Sequence, residues 1–496
     1  MTTLPEGVKL KNPEKLYIGG QWVAPAKGGT ISVVSPHTEE VSIVVAEATD
    51  EDMDKAVKAA RDAFDNGPWP NLSVAERAAY LRKLTEGLQA RAAELSTGFV
   101  AEIGALVPFA AFATNTGAVT FAQYADIGES YPWEERVPTV HPGHDALLIR
   151  DPVGVVAAIA PWNMPFAIMA QKVAPALIAG CTVIMKPSPE TPIAAYAIAE
   201  VADEIGIPAG VINLVPANRD ASDYLVRNPG IDKISFTGST VAGKRIASVA
   251  GERIARVTLE LGGKSPAIVL PDYPTEEAGK LLGRTITNLS GQICATLSRA
   301  LVPQEKMDEM ADAIAAEMKT VKVGDPNDPE SQMGPIAMER QIERIEGYVA
   351  KGIEEGAELV TGGKRVEGFN RGYYFEPTLF KNVDNKSTIA QEEIFGPVLA
   401  LIGYRDVEHA IELANDSNYG LNSSVLTHDT KQAYQVGRKI RAGNVGHNGM
   451  KADFTLGFGG YKQSGIGREG GVVGLEPYIE TKTMIIEAEK QPEPAE

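Results

Sequence analysis

From 153 to 261 the chain repeats one pattern: a short run of Val, Ile and Ala, then a longer stretch whose apolar residues recur every three or four positions. The runs predict strands at 153–159, 182–185, 211–215, 233–237 and 257–261. The stretches between them predict helices at 166–179, closed by Gly180, and at 194–205, 221–226 and 241–250. Runs so uniformly apolar, spaced by helices, belong to a parallel sheet covered on both faces, since a strand with one wet face would alternate. Such sheets bind ligands just beyond the carboxyl ends of their strands. Asn163, Lys186, Gly238 with Ser239, and Glu260 stand at or just past four of those ends, so one crevice is expected to collect them.

On either side the pattern changes. Short runs at 16–18, 22–23, 31–34 and 41–45, broken by Gly and Pro, predict a small group of strands. From 51 the spacing is helical, and Ser73 is placed to cap a helix over 74–95. The segment 132–150 predicts a protruding hairpin. Beyond 265, apolar runs at 300–302, 358–360, 395–404 and 423–426 predict a second α/β unit. Five glycines within 457–467 predict a loop that passes close to a ligand or to other backbone. The acidic, proline-bearing segment 488–496 reads as a disordered tail.

Composition narrows the function. A chain of 496 residues has room for two or three domains, at about 150 residues each. Apolar residues at 44% and charged residues at 23% fit an ordinary globular protein. A net charge of −18 repels polyanions, which sets aside nucleic acid and anionic membrane surfaces and leaves small molecules as partners. The uncharged stretch 152–171 is long enough to span a bilayer, but Pro161-Trp162-Asn163-Met164-Pro165 breaks it into strand, loop and helix. Two cysteines exclude a disulfide framework and the first residues lack a signal-peptide pattern, so a cytoplasmic location is expected. His141 and His144 have no companions at ligand spacing, and no metal site is expected.

The candidate chemistry centres on Gly291-Gln292-Ile293-Cys294. A cysteine on a glycine-bearing loop between helices is placed to attack a carbonyl as a thiolate and later to leave, although most free cysteines are small buried hydrophobes, as Cys181 is expected to be. Phe236-Thr237-Gly238-Ser239 runs from a strand into a helix, whose first N–H groups suit a phosphate; the alternative is a plain tight turn. Lys186 is either a ribose or phosphate ligand or a solvated strand-end lysine. Glu260 sits among apolar neighbours in Val257-Thr258-Leu259-Glu260-Leu261, either buried with a raised pKa that suits a general base, or paired or solvent-facing.

Four motifs in order, Pro161-Trp162-Asn163, Leu259-Glu260-Leu261-Gly262-Gly263-Lys264, Gly291-Gln292-Ile293-Cys294 and Glu392-Glu393-Ile394-Phe395-Gly396-Pro397-Val398, make the chain resemble the NAD(P)-dependent aldehyde dehydrogenases over nearly its whole length. The resemblance implies a Rossmann-like parallel-sheet cofactor domain from 1–131 and 151–258, a second α/β catalytic domain at 259–460, and oligomerisation strands at 132–150 and 475–487 that assemble a homodimer or homotetramer. It implies that Cys294 is the nucleophile, that Asn163 and the Cys294 N–H hold the oxyanion, and that Glu260 is the base that hydrolyses a thioester. Trp162, Lys186, Gly238, Ser239, Glu393 and Phe395 would contact NAD or NADP. Where many NAD-preferring members carry Glu three residues after the motif lysine, this chain has Pro189, with Glu190 next, which leaves NAD favoured and NADP open. Met164, Ala167, Gln171, Ile293, Ala295, Phe454 and Leu456 would line the substrate tunnel, and their apolar character points to an aliphatic, terpenoid or aromatic aldehyde. The alternatives are a CoA-acylating dehydrogenase, which usually lacks the Glu matched by Glu260, and a cysteine thioesterase, which would need a histidine beside Cys294.

Overall fold

The computed structural model describes residues 4–488. Its first sheet has eight strands: β1 (Leu16–Ile18), β2 (Gln21–Val23), β7 (Val155–Ile159), β8 (Thr182–Lys186), β9 (Ile212–Leu214), β10 (Lys233–Thr237), β11 (Arg256–Glu260) and β19 (Gly465–Ile466). The order is β19-β11-β10-β7-β8-β9-β1-β2. The five central strands are parallel, and β1, β2 and β19 run antiparallel at the edges. This is the sheet that the 153–261 pattern implies. The chain winds outward from β7 through β8 to β9, then crosses back to β10 and β11. The reversal falls between β7 and β10, the place where a crevice opens at the strand ends.

Helices cover both faces. On one lie α2 (Val74–Ala90), α3 (Ala92–Ile103), α4 (Val107–Ser130), α5 (Pro165–Ala179) and α6 (Ile193–Glu204); on the other, α1 (Asp50–Asp65), α7 (Arg219–Arg227) and α8 (Thr240–Glu252). Every residue of α5 is buried, so it behaves as a core element rather than an amphipathic cover. The expected helix over 74–95 instead stops at Ala90. Arg91 leaves helical geometry (φ −101°, ψ 11°), and its guanidinium pairs with Glu94 and the buried Glu200 on α6. The start is as expected, with Ser73 and Glu76 forming a reciprocal capping box. The pattern reading assigned nothing to α4, whose apolar face is diluted by Thr, Gly and Ala.

The second large sheet is β14 (Glu358–Thr361), β15 (Thr378–Lys381), β16 (Val398–Tyr404), β13 (Leu297–Pro303), β12 (Ser265–Val269), β17 (Ser424–Leu426) and β18 (Gly446–His447), parallel except for β14. It is flanked by α9 (Thr275–Thr287), α10 (Met307–Thr320) and α11 (Glu339–Glu354). The strand expected from 395 begins only at Val398. Phe395 has φ +62°, outside the extended region, and Gly396-Pro397 follows. A hairpin, β3 (Gly29–Val34) with β4 (Val41–Glu47), stands apart.

The 132–150 hairpin forms as β5 (Glu134–Val137) and β6 (His144–Pro152), and β20 (Ile479–Glu487) pairs along all of β6. Of the segment 475–487 only Ile479–Glu487 is strand; Glu476–Tyr478 form a 3₁₀ turn. The expected tail at 488–496 lies outside the described residues except for Ala488, whose N–H donates to the Gly143 carbonyl at 2.9 Å. The stretch 152–171 is the end of β6, β7, a loop and the first half of α5, and among the described residues no helix is long and apolar enough to cross a membrane.

Candidate active site

After α9 the chain takes three consecutive left-handed residues, Leu289 (φ 47°), Ser290 (φ 56°) and Gly291 (φ 73°). For leucine and serine this is costly backbone, sustained only when the surroundings fix it. They do. Ser290 Oγ donates to the Gly334 carbonyl at 2.8 Å, and the Gln292 side chain bridges the Leu289 carbonyl and the Ala337 N–H. Gly291 is required twice over, by its φ and because a Cβ there would lie 2.1 Å from the Gly396 carbonyl oxygen. The coil ends at Cys294, whose side chain is half-buried; Cys181, by contrast, is fully buried in the first core.

Cys294 lies in a cavity of about 130 Å³ that also takes in Trp162, Asn163, Thr237, Gly238, Ser239, Gln341, Arg344, Glu393 and Phe395. Asn163 is buried, and its Nδ2 donates to the Gln292 carbonyl at 2.9 Å, which ties the loop after β7 to the loop carrying the cysteine. An amide NH₂ has a second hydrogen to give. Trp162 meets Phe395 edge to face at 5.2 Å. Glu393 accepts from the Gly263 N–H at 3.1 Å; burial raises its carboxyl to about 7 against the opposing pull of that N–H. Burial, then the charges of Glu393 and Glu260, push the Cys294 thiol up.

Through Trp162 and Ser239 the cavity continues into an open cleft of about 1000 Å³ over the β7–β10 reversal. Lys186 and Glu190 are among its lining residues. Lys186, buried at the end of β8, is lowered to about 8 by desolvation, with Glu190 pulling the other way. Ser239 is the N-cap of α8, exposed to the cleft while accepting from the Ala242 N–H, so the positive end of that helix faces the open space.

Glu260 is buried, and neither carboxylate oxygen has a hydrogen-bond partner among the described residues. Of the readings open from the sequence, burial holds and a direct ion pair does not. Desolvation raises its pKa well above the ordinary value and the neighbouring Glu469 adds to this, while Lys172 and Arg468 oppose. Lys172, fully buried on α5, donates to Glu469 and to Thr237 Oγ1 at 2.7 Å. The glycine run at 457–467 makes the close approach its composition implies. A Cβ on Gly459 would lie 2.5 Å from Glu260 Oε1, and Gly465 pairs with Glu260 across the β11–β19 edge.

The expected tunnel residues divide. Ile293, Ala295 and Phe454 pack in one apolar cluster with Cys294, together with Leu421, Met450 and Phe458. Met164 and Ala167 share a small cavity with Phe99 and Phe166. Gln171 is buried, its Nε2 reaching Thr120 Oγ1 at 3.4 Å, and Leu456 is 72% exposed, away from the cluster. Sequence reasoning missed Gln341, Arg344, Lys172 and Glu469; a charged residue in the otherwise apolar 166–179 run was the available signal for Lys172. Among the described residues no three His, Cys, Asp or Glu side chains are grouped to hold a metal ion.

Comparison with known proteins agrees with this geometry. The Aldehyde dehydrogenase family model matches residues 22–484. Geranial dehydrogenase of Castellaniella defragrans is 40% identical over 474 residues, covering 95% of this chain and 98% of that protein. A Mycobacterium tuberculosis aldehyde dehydrogenase complexed with NAD+ superposes with a TM-score of 0.91 at 42% identity, covering 96% of this chain and 98% of that one. A mutant Aldehyde Dehydrogenase C of Pseudomonas syringae, complexed with NAD+ and octanal, gives 0.91 at 39% identity, covering 98% and 99%. With a cysteine raised on a strained coil beside a buried glutamate and a nucleotide-sized cleft, the chain belongs to the aldehyde dehydrogenase family.

Proposed function

We propose that the protein oxidises an apolar aldehyde to its carboxylic acid with NAD, in the cytoplasm, and assembles through β5, β6 and β20 as a dimer or tetramer. The observation that carries the reading is the continuity of the Cys294 cavity with the large cleft along Trp162 and Ser239. The cleft fits a dinucleotide. Its helix N-terminus suits a pyrophosphate, Lys186 and Glu393 suit the two riboses, and Phe395 with Trp162 walls the ring. Bound there, NAD supplies the hydride acceptor.

The chain's own residues supply the rest. Cys294 Sγ adds to the aldehyde carbon, giving a thiohemiacetal whose oxygen takes hydrogen bonds from the second Asn163 amide hydrogen and the Cys294 N–H. After hydride loss Cys294 carries a thioester. Glu260 takes a proton from the attacking water, and the thiol departs as the acid forms. A thioesterase reading has no support, since no histidine lines the Cys294 cavity among the described residues. A CoA-acylating reading is disfavoured by a carboxylate buried at the Glu260 position.

Apolar substrates are favoured by the packing of Ile293, Ala295 and Phe454 in one apolar cluster with Cys294. The name geranial dehydrogenase and the octanal in the Pseudomonas syringae complex point the same way. The exposed Met484, Ile485 and Ile486 of β20 support assembly. The test follows the near-ultraviolet absorbance of reduced cofactor with octanal, benzaldehyde and succinate semialdehyde, with Cys294→Ala as control. Octanal or benzaldehyde should lead. A lead for succinate semialdehyde rejects the substrate class, and no reduction with any aldehyde rejects the activity.

A further inference from the structure

We propose that Asn422 is a positioning residue for the reaction: its amide clamps the turn that carries Cys294, and so holds the Cys294 and Ala295 N–H groups toward the sulfur and toward the oxygen of its adduct. The proposal rests on the dehydrogenase reading above and deepens it.

Cys294 and Ala295 are the two central residues of a turn, closed by the Thr296 N–H on the Ile293 carbonyl at 3.0 Å. Among the described residues one other side chain bonds to that turn. Asn422, completely buried, donates from Nδ2 to the Ala295 carbonyl at 2.9 Å across 127 residues of sequence. The second sheet sets this reach. The turn leads into β13 at Leu297 and Asn422 leads into β17 at Ser424, with β12 lying between the two strands. All three run parallel, so their starts share one edge and Asn422 spans the start of β12. Its neighbour Leu421 packs in the apolar cluster with Ile293, Cys294 and Ala295. Asn422 itself lines neither the Cys294 cavity nor the large cleft, so it acts through the turn rather than on substrate or cofactor.

The donor side of the amide is what the position uses. Its Oδ1 is buried without a partner among the described residues, an arrangement that adds little to stability and that a leucine of similar size would avoid. What leucine lacks is the bond to Ala295. The turn's N–H groups matter because the sulfur depends on them. Burial, then the charges of Glu393 and Glu260, push the Cys294 thiol up, and the Ala295 and Cys294 N–H groups oppose them. A turn free to rotate loses that support at the thiolate and again at the oxyanion.

The test is alkylation of Cys294 by iodoacetamide across a range of pH, without cofactor or aldehyde, in full-length Asn422→Leu and Asn422→Ser, with Cys294→Ala as the blank. The charged groups around Cys294 are Glu260 from β11, Glu393 from the loop before β16 and Arg344 from α11, and both variants leave them in place. At mildly alkaline pH alkylation should slow at least about 3-fold as its profile moves up. The burst of reduced NAD with octanal should slow about 10- to 100-fold, the scale of a displaced reacting group. The NAD dissociation constant should stay within about 2-fold of wild type, since the two sites are separate. Melting should stay within about 3 °C. An alkylation profile and a burst that match wild type in either folded variant overturn the proposal, and with lowered melting they make Asn422 a packing residue. A burst slowed only because NAD binds less tightly also overturns it. Wild-type protein that reduces no NAD with any aldehyde removes the dehydrogenase reading, and the alkylation arm then still decides whether Asn422 holds Cys294.

Discussion

Two glutamates act on the Cys294 thiol, and they differ by one hydrogen bond. Glu393, in the loop before β16, accepts from the Gly263 N–H and sits at about 7. Glu260, at the end of β11, has no donor, has Glu469 for a neighbour, and is raised well above the ordinary carboxyl range by burial and then by the Glu469 charge. Each is backed by a glycine with no room for a side chain: a Cβ on Gly262 would lie 2.5 Å from Glu393 Oε2, and one on Gly459 equally close to Glu260 Oε1. Burial alone therefore does not set what a carboxyl does. A single N–H opposes burial at Glu393, which sits near neutrality ready to accept from a ribose, while no N–H opposes it at Glu260.

The comparison depends on Cys294 being the reacting atom that both glutamates serve, so the largest test removes it. Cys294→Ala should lower steady-state cofactor reduction by about 10⁴-fold or more, the scale seen when a nucleophile is deleted. Residual turnover near wild type would leave both glutamates without a reaction to serve. Next, Glu260→Gln should form one equivalent of reduced cofactor in stopped flow and then stall, with steady-state turnover down about 10²- to 10⁴-fold. Loss of the burst itself would move the Glu260 role to the cysteine.

A third test reads the difference as stability. Glu393 at about 7, against an ordinary 4.5, keeps a proton in the folded state that the unfolded chain has released. Its contribution is fully present below pH 4.5 and is lost as pH rises through about 7. It is worth at most ~3 kcal/mol, less for its partial exposure. Urea midpoints of wild type and Glu393→Gln should diverge across that window, and parallel curves would deny the shift. Lys186, lowered to about 8, acts in the opposite sense above the window, adding stability as pH rises toward 10.5. The smallest effect separates the two glutamates directly. Gly459→Ala should slow thioester hydrolysis and Gly262→Ala should weaken cofactor binding, each about 10-fold, because the Cβ displaces a carboxylate end, and at Gly459 the φ of +155° and the Gly467 carbonyl oxygen at 3.0 Å add backbone strain. The two variants failing in the same step would merge the two roles into one.

Much of this was legible in the chain. The 153–261 alternation gave the parallel sheet because both its faces are apolar, and the strand-end rule brought Asn163, Lys186, Ser239 and Glu260 toward one crevice. What periodicity cannot carry is a contact between distant charges: Lys172 meets Glu469 across 297 residues, and neither position stands out except as a charge in an apolar or glycine-rich setting. Local strain was hidden for a related reason. Leu289, Ser290 and Phe395 adopt left-handed backbone that their own preferences disfavour and that Gly334, Ala337 and Gln341 fix from elsewhere. The break at Arg91 likewise answers to Glu200, a partner no helical spacing reveals.

The strand β19 has a consequence for how the molecule is made. It follows every strand of the second sheet, yet it closes the edge of the first sheet at Glu260 and brings Glu469 with it. During synthesis the parallel core can fold long before this segment leaves the ribosome. A nascent or prematurely terminated chain therefore has a nucleotide cleft but an open edge where its base belongs. Activity therefore waits on an edge that closes only after the second sheet has been made.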